Sequence, residues 1–141
     1  MISYFETSAF LKLLIDEPGS VMAQQLWRTS TRTICSRLLY PEARAALAAA
    51  ARARRVTTVE HIRARERLEA FWQAIDRLGV RTRLARRAGD LAEVHRLRGY
   101  DAVHLASYES IAGDATVLVT FDDDLRDAAL ALGFPVAPAT R

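Results

Sequence analysis

The fold of this chain is decided by its first ten residues, Met1-Ile2-Ser3-Tyr4-Phe5-Glu6-Thr7-Ser8-Ala9-Phe10. A short apolar run, Ile2–Phe5, ends at a carboxylate and two hydroxyls, and a helical apolar pattern starts directly afterwards. This arrangement is typical of a buried parallel strand that leads into the N-terminus of a helix. We therefore predict a strand at Ile2–Phe5 and a helix at Ala9–Ile15, with Thr7 or Ser8 as the helix cap.

Glu6 stands where this predicted strand ends. In open α/β sheets the ligand crevice lies outside the carboxyl ends of the strands, so Glu6 would face that crevice. A simpler interpretation is that its carboxylate only favours the helix dipole. Taken alone, the stretch favours the simpler interpretation, but three acids further along the chain, Glu42, Asp101 and Asp122, shift the balance.

Length and composition limit the classes of protein. A chain of 141 residues fits a single domain, 1–141, with a full core. No segment approaches the roughly 18 to 20 uncharged apolar residues of a membrane span, and the N-terminus lacks a basic region followed by an apolar signal core. The single cysteine, Cys35, can form no internal disulfide and is expected to be a small buried residue. These features predict a cytoplasmic protein without a membrane partner.

The net charge of +3 is unevenly distributed. Between Arg52 and Arg98 the chain has thirteen arginines and six acids. Such a basic band could attract polyanions. Arginine also outnumbers lysine nineteen to one over the whole chain, which genomic composition alone could explain. The charge by itself does not decide between these interpretations.

Strands alternate with helices along the rest of the chain. Short strands are predicted at Thr33–Cys35, Val80–Arg83, Val117–Phe121 and Pro135–Ala137. Helices are predicted at residues 21–31, 36–54, 58–78, 84–97, 102–112 and 125–132. The alternation predicts an α/β fold with a mostly parallel sheet of four or five strands that is covered by helices on both faces.

Four acids share a position relative to these elements. Glu6 and Asp122 each follow an apolar strand, while Glu42 and Asp101 each lie in the first turn of an apolar helix. If the two strands are neighbours, their carboxyl ends bring both carboxylates to one crevice. Four carboxylates in one pocket repel one another strongly unless a cation is present. Oxygen-only ligands suit Mg²⁺ or Mn²⁺, which stabilise attack on phosphorus and activate water.

The blocks around these acids carry a family resemblance. They are Tyr4-Phe5-Glu6-Thr7-Ser8-Ala9, Ser36 with Tyr40-Pro41-Glu42-Ala43, Tyr100-Asp101-Ala102-Val103-His104-Leu105-Ala106, Thr120-Phe121-Asp122-Asp123-Asp124-Leu125 and Leu132-Gly133-Phe134-Pro135-Val136. In this order, and over nearly the whole chain, they resemble PIN-domain ribonucleases, specifically the VapC-type toxins of bacterial toxin–antitoxin pairs. The resemblance implies a three-layer α/β/α sandwich and a Mg²⁺-dependent endoribonuclease that hydrolyses RNA phosphodiester bonds. It also implies a homodimer and an inhibitory VapB-like antitoxin.

The resemblance assigns roles to individual side chains. The positions that match the catalytic acids of the family are Glu6, Glu42, Asp101 and Asp122. The expected metal ligands among them are Glu6, Asp101 and Asp122, with Mg²⁺ as the ion and Mn²⁺ as a substitute. The residues expected to support the acids indirectly are Thr7, Ser8, Thr120 and Asp124.

Glu6 departs from the family pattern, which usually has aspartate at this position. The extra methylene moves the carboxylate outward by roughly one C–C bond, and octahedral Mg²⁺ tolerates misplaced ligands poorly. A PIN-like RNA-binding module with weakened catalysis is therefore the alternative function. A receiver or phosphatase-like α/β domain would need an aspartate nucleophile after the first strand, where this chain has Glu6.

The chain has three histidines. His104 lies three residues after Asp101, and we expect it in the core or behind the acids, because hard oxygen sites rarely use imidazole. His61 and His95 lie on charged predicted helices and are expected at the surface. The sequence contains no Ser-His-Asp order, glycine-rich phosphate loop or Cys/His zinc spacing.

Overall fold

The computed structural model describes residues 1–139, in which seven helices cover a five-stranded parallel sheet. The strands are β1 (Ile2–Phe5), β2 (Arg32–Ser36), β3 (Asp76–Leu78), β4 (Thr116–Val119) and β5 (Val136–Ala137). The helices are α1 (Thr7–Leu14), α2 (Ser20–Thr29), α3 (Leu39–Arg52), α4 (Thr58–Ala74), α5 (Thr82–His95), α6 (Gly99–Glu109) and α7 (Asp123–Ala131). Within the described residues, no helix is both long enough and apolar enough to cross a membrane.

The strand order is β3-β2-β1-β4-β5, so β1 is the middle strand. Ile2 lies opposite Arg32 on one side and opposite Thr116 on the other. Tyr4 and Phe5 are fully buried, as expected for a central strand with helices on both faces. The predicted parallel sheet of four or five strands is therefore confirmed, with five strands.

Two separate core clusters lie on the two faces of the sheet. Successive side chains of a strand point to opposite faces, so Phe5 enters one cluster and Tyr4 the other. The Phe5 cluster takes its helical residues from α1 to α4, and the Tyr4 cluster takes them from α5, α6 and α7. This arrangement is the predicted α/β/α sandwich.

The prediction was wrong around β3. The helix predicted to reach Leu78 ends at Ala74, and Asp76–Leu78 forms the edge strand. The predicted strand Val80–Arg83 is instead a loop that runs into the first turn of α5. The sequence of β3, Asp-Arg-Leu, contains no apolar run that would indicate a strand. Such a run is not needed here, because two of the three residues are exposed. Its extended form depends on pairing with β2, in which Ile34 lies opposite Asp76.

Cys35 is a small buried residue of β2, as the sequence predicts. Burial raises the pKa of its thiol to about 12. The thiol therefore stays protonated at neutral pH, which is unsuitable for a nucleophile.

The sheet depends on the packing of its central strands, and Leu118 of β4 is fully buried there. We expect Leu118→Ala to lower the free energy of unfolding by about 2–5 kcal/mol, because the truncation leaves a cavity in a core that cannot collapse fully. Urea denaturation measures the change. Leu130→Ala is the control, since Leu130 is 53% exposed, and its effect should stay within about 0.5 kcal/mol. Equal losses in both variants would contradict the assignment of the core.

Candidate active site

Glu6 and Asp122 lie at the same edge of the sheet because β1 and β4 are adjacent. Phe5 pairs with Val119, and the backbone N–H of Glu6 donates to the carbonyl oxygen of Val119 at 3.0 Å. Asp122 follows β4 after two intervening residues. The two carboxylates thus leave the carboxyl ends of neighbouring strands, as predicted from the sequence.

Glu6 is also the cap of α1, and the prediction of Thr7 or Ser8 as the cap was wrong. Its Oε2 atom accepts hydrogen bonds from the backbone N–H of Ser8 at 3.0 Å and from the Ser8 and Thr120 hydroxyls. The Ser8 and Thr7 hydroxyls both donate to glutamates, to Glu6 and Glu42 respectively, so neither caps the helix. Burial raises the pKa of Glu6. The charge of His104 and the hydrogen bonds from Ser8 and Thr120 offset only part of this increase.

Thr120 connects Glu6 to Asp122. Its hydroxyl is fully buried, donates to Glu6 at 2.9 Å and accepts from the backbone N–H of Asp122 at 3.1 Å. Asp122 in turn caps α7 through a 2.8 Å hydrogen bond from the backbone N–H of Leu125 to Oδ1. Glu6 and Asp122 are therefore both helix caps, and the role of the same carboxylates in a site stays a prediction.

Glu42 is held by a buried histidine. The Oε1 atom of Glu42 lies 2.6 Å from Nε2 of His104 and accepts a 2.8 Å hydrogen bond from the Thr7 hydroxyl. On its other side, Nδ1 of His104 lies 2.9 Å from the Tyr4 hydroxyl. His104 is fully buried and lies behind the acids, as expected. His61 and His95 are half-buried on α4 and α5.

The contact between His104 and Glu42 changes the ionisation of both groups. Burial alone lowers the pKa of His104, but the hydrogen bond that His104 donates to Glu42 and the charges of Glu6, Glu42 and Asp101 outweigh this effect and raise the pKa. Burial alone raises the pKa of Glu42. The hydrogen bond and the charge of His104, together with the hydrogen bond from the Thr7 hydroxyl, outweigh this effect and lower the pKa. The pair is therefore stabilised as imidazolium and carboxylate.

Asp101 lies in the first turn of α6 and is 4% exposed. Nε of Arg98 donates to its Oδ2 atom at 2.8 Å, and Nη2 of the same guanidinium lies 3.6 Å from Oδ2 of Asp122. Arg98 thus joins two of the predicted acids. The sequence analysis did not identify Arg98. Its position three residues before Asp101, at the start of a helix, could have indicated an ion pair between the two side chains.

The remaining predicted residue, Asp124, is exposed in the first turn of α7. Its supporting role stays a prediction. The other predicted residues form two groups. Glu6, Ser8, Thr120 and Asp122 are joined by hydrogen bonds, and Arg98 links Asp122 to Asp101. Glu42, Thr7 and His104 form the second group, and the charge of His104 acts on acids of both.

The carboxylate oxygens of these two groups suit a hard divalent cation. Glu6 Oε1, Glu42 Oε2 and Asp101 Oδ1 form no hydrogen bond or ion pair with the rest of residues 1–139, so each carboxylate retains one oxygen for a ligand. In the conformation described, however, no group of three or more Asp, Glu, His or Cys side chains of those residues is arranged to hold a metal ion. Metal binding therefore requires these side chains to rearrange.

Comparison with known proteins identifies the family. The sequence profile of the PIN domain matches residues 3–130. The chain belongs to the PIN domain family. The ribonuclease VapC45 of Mycobacterium tuberculosis (strain CDC 1551 / Oshkosh) is 45% identical to it over 136 residues, which cover 96% of this chain and 94% of that relative. This PIN domain is therefore a member of the VapC ribonucleases, and the resemblance found in the sequence is confirmed.

Solved structures agree with the PIN fold. The Mycobacterium tuberculosis toxin VapC20, which cleaves the sarcin-ricin loop, superposes with a TM-score of 0.69 at 18% identity, covering 94% of this chain and 95% of that chain. VapBC of Salmonella typhimurium, solved bound to DNA, gives a TM-score of 0.63 at 18% identity over 96% of both chains. At this identity the agreement supports the fold alone.

The ion pair between His104 and Glu42 predicts a pH dependence of the stability of this PIN domain. The raised pKa of His104 stabilises the fold fully below the unfolded pKa of about 6.5, and this effect is lost as the pH rises through the folded pKa. The lowered pKa of Glu42 stabilises the fold above the unfolded pKa of about 4.3, and this effect is lost as the pH falls through the folded pKa. Glu42→Gln should therefore reduce the free energy of unfolding most between about pH 4.3 and 6.5.

Urea denaturation in EDTA from acidic to alkaline pH measures this profile. Glu66→Gln is the matched control, because Glu66 is exposed on α4 and the substitution removes the same charge. Its effect should be small and nearly independent of pH. A loss in Glu42→Gln that is equal at every pH would show that the pair does not carry opposite charges.

Proposed function

We propose that this VapC ribonuclease hydrolyses RNA phosphodiester bonds as an endonuclease and uses Mg²⁺, with Mn²⁺ as a substitute. The observation that carries the proposal is the position of Glu6, Glu42, Asp101 and Asp122 at the carboxyl edge of the sheet, where two groups of hydrogen bonds and ion pairs hold them. The charge of His104 acts on acids of both groups. Three of these acids retain an oxygen outside these hydrogen bonds and ion pairs. This is the donor set expected of a magnesium site.

The residues that would hold the ion are Glu6, Asp101 and Asp122. When bound, the ion would neutralise charge on the phosphate and make the attacking water more acidic. His104 and Thr7 fix Oε1 of Glu42, and His104 keeps this carboxylate ionised. Oε2 of Glu42 is thereby left to accept a hydrogen bond from the attacking water.

The RNA substrate is expected to bind through the arginine-rich segment between Arg52 and Arg98. Arginines such as Arg63, Arg65 and Arg86 are exposed on α4 and α5. Guanidinium groups attract the phosphates of a polyanion and form paired hydrogen bonds with them. The basic band provides the long-range attraction, while the acidic network provides the site of cleavage.

As a toxin, the chain is expected to act in the cytoplasm as a homodimer and to be inhibited by a VapB-like antitoxin. We propose that the antitoxin places a basic side chain among the four acids. Such a side chain would supply the positive charge that the carboxylates require and would exclude the metal. A toxin–antitoxin complex from Klebsiella pneumoniae, in which one chain has a similar fold, is consistent with this partner.

Asp101→Asn tests the catalytic role of the acids. We expect Mg²⁺-dependent cleavage of ribosomal RNA to fall by more than about 100-fold, since even residues that only support a metal ligand are worth 10–100-fold. The fold should persist, because neutralising one carboxylate of a like-charged cluster also relieves repulsion. Asp127→Asn removes the same charge from an exposed position on α7 and should cleave like the parent. Parental cleavage by Asp101→Asn would exclude Asp101 as a ligand.

Glu6 distinguishes the nuclease from the alternative, an RNA-binding module with weakened catalysis. If the long side chain of Glu6 displaces the ion, Mn²⁺ should support cleavage better than Mg²⁺, because its larger radius permits longer bonds. Glu6→Asp should raise the rate in Mg²⁺ and narrow the preference for Mn²⁺, and aspartate can still cap α1. Glu6→Gln keeps the length of the side chain but removes its charge, so it should lower the cleavage rate strongly in both metals. Cleavage rates of the parent and the two variants in each metal test whether Glu6 is a ligand. Equal rates for the parent and Glu6→Gln would contradict that role.

A further inference from the structure

Arg98 occupies a position that sequence reasoning did not assign to any function. It is the residue immediately before α6, and its side chain is 62% exposed. Its guanidinium contacts Asp101, which is buried, and lies beside Asp122, which caps a different helix, α7. One arginine therefore spans two carboxylates that are predicted to bind the same metal ion.

The oxygen atom of Asp122 that faces Arg98 is the one a metal ion would need. Oδ1 of Asp122 accepts the capping hydrogen bond of α7, so Oδ2 is the oxygen left for a ligand. That Oδ2 atom lies 3.6 Å from Nη2 of Arg98. Oδ2 of Asp101 is bound to Nε of the same side chain at 2.8 Å. A cation shared by Asp101 and Asp122 would meet the guanidinium, and two positive charges at such a short distance repel each other.

The exposure of Arg98 allows it to leave this position. Its side chain is 62% exposed, so the displaced guanidinium can enter solvent, and the divalent cation that replaces it supplies the positive charge that buried Asp101 needs. The guanidinium also lies over the ring of Tyr100, 4.9 Å from its centroid, and Tyr100 is itself 44% exposed. The aromatic face offers the displaced guanidinium a contact that does not use the carboxylates.

We propose that Arg98 competes with the metal ion for the same two carboxylates. Without metal, Arg98 bridges Asp101 and Asp122, and a divalent cation displaces it when it binds. This inference rests on the proposed function only in taking Asp101 and Asp122 as ligands. It explains why the acids of residues 1–139 are not arranged to hold an ion in the conformation described. It also makes Arg98 a determinant of metal affinity that does not itself touch the metal.

Metal binding to the full chain, freed of metal by chelation, tests the competition without any measurement of cleavage. We expect Arg98→Gln to bind Mn²⁺ at least threefold more tightly than the parent in isothermal titration calorimetry. The rise in melting temperature caused by saturating Mn²⁺ should also be larger in this variant. Arg86→Gln is the matched control, because Arg86 is exposed on α5 and carries the same charge. Its Mn²⁺ affinity should equal that of the parent within about twofold.

A second measurement follows Arg98 directly. In the parent, the Nε–H resonance of Arg98, assigned by its absence in Arg98→Gln, should show slow exchange because it is bound to Asp101. Saturating Mg²⁺ should move this resonance to the position of an unpaired arginine. An unchanged resonance at saturation, or weaker Mn²⁺ binding by Arg98→Gln, would overturn the inference while leaving the metal site intact. If neither the parent nor Arg98→Gln binds Mn²⁺, the proposed metal site and this inference both fail.

Discussion

The parallel pairing of β1 with β4 is the constraint on which the site depends. It places Glu6 and Asp122 at one edge of the sheet, with the backbone N–H of Glu6 bound to Val119. Helices α3 and α6 add Glu42 and Asp101. Four carboxylates in so small a region repel one another, so the fold must supply donors and positive charge around them.

Helix caps supply part of that compensation. Glu6 accepts from the first turn of α1, and Asp122 accepts from the first turn of α7. Each cap stabilises its helix by about 1 kcal/mol and at the same time fixes the rotamer of a carboxylate. The buried Thr120 hydroxyl then ties the two caps together. Glu6 and Asp122 are thus held by hydrogen bonds to rigid elements of the fold.

Two cationic side chains supply the charge, and their surroundings give them different roles. His104 is fully buried between Tyr4 and Glu42, so its contacts are fixed by the core. Arg98 is mostly exposed and contacts the acids only with the end of its side chain. A buried partner holds its carboxylate permanently in one orientation, whereas an exposed partner can be exchanged for another cation.

The sequence by itself determined the fold class, most of the elements and the four acids. These features are local: an apolar run such as Ile2–Phe5 followed by Glu6 specifies both the strand and the acid at its end. Only the tertiary structure decided that Glu6 caps α1, that Asp76–Leu78 is a strand, that His104 pairs with Glu42, and that Arg98 contacts two acids. His104 meets Glu42 across 62 positions of the chain. Contacts of this kind arise from the packing of helices on a shared sheet, and no periodicity within one segment encodes which distant side chain will lie opposite.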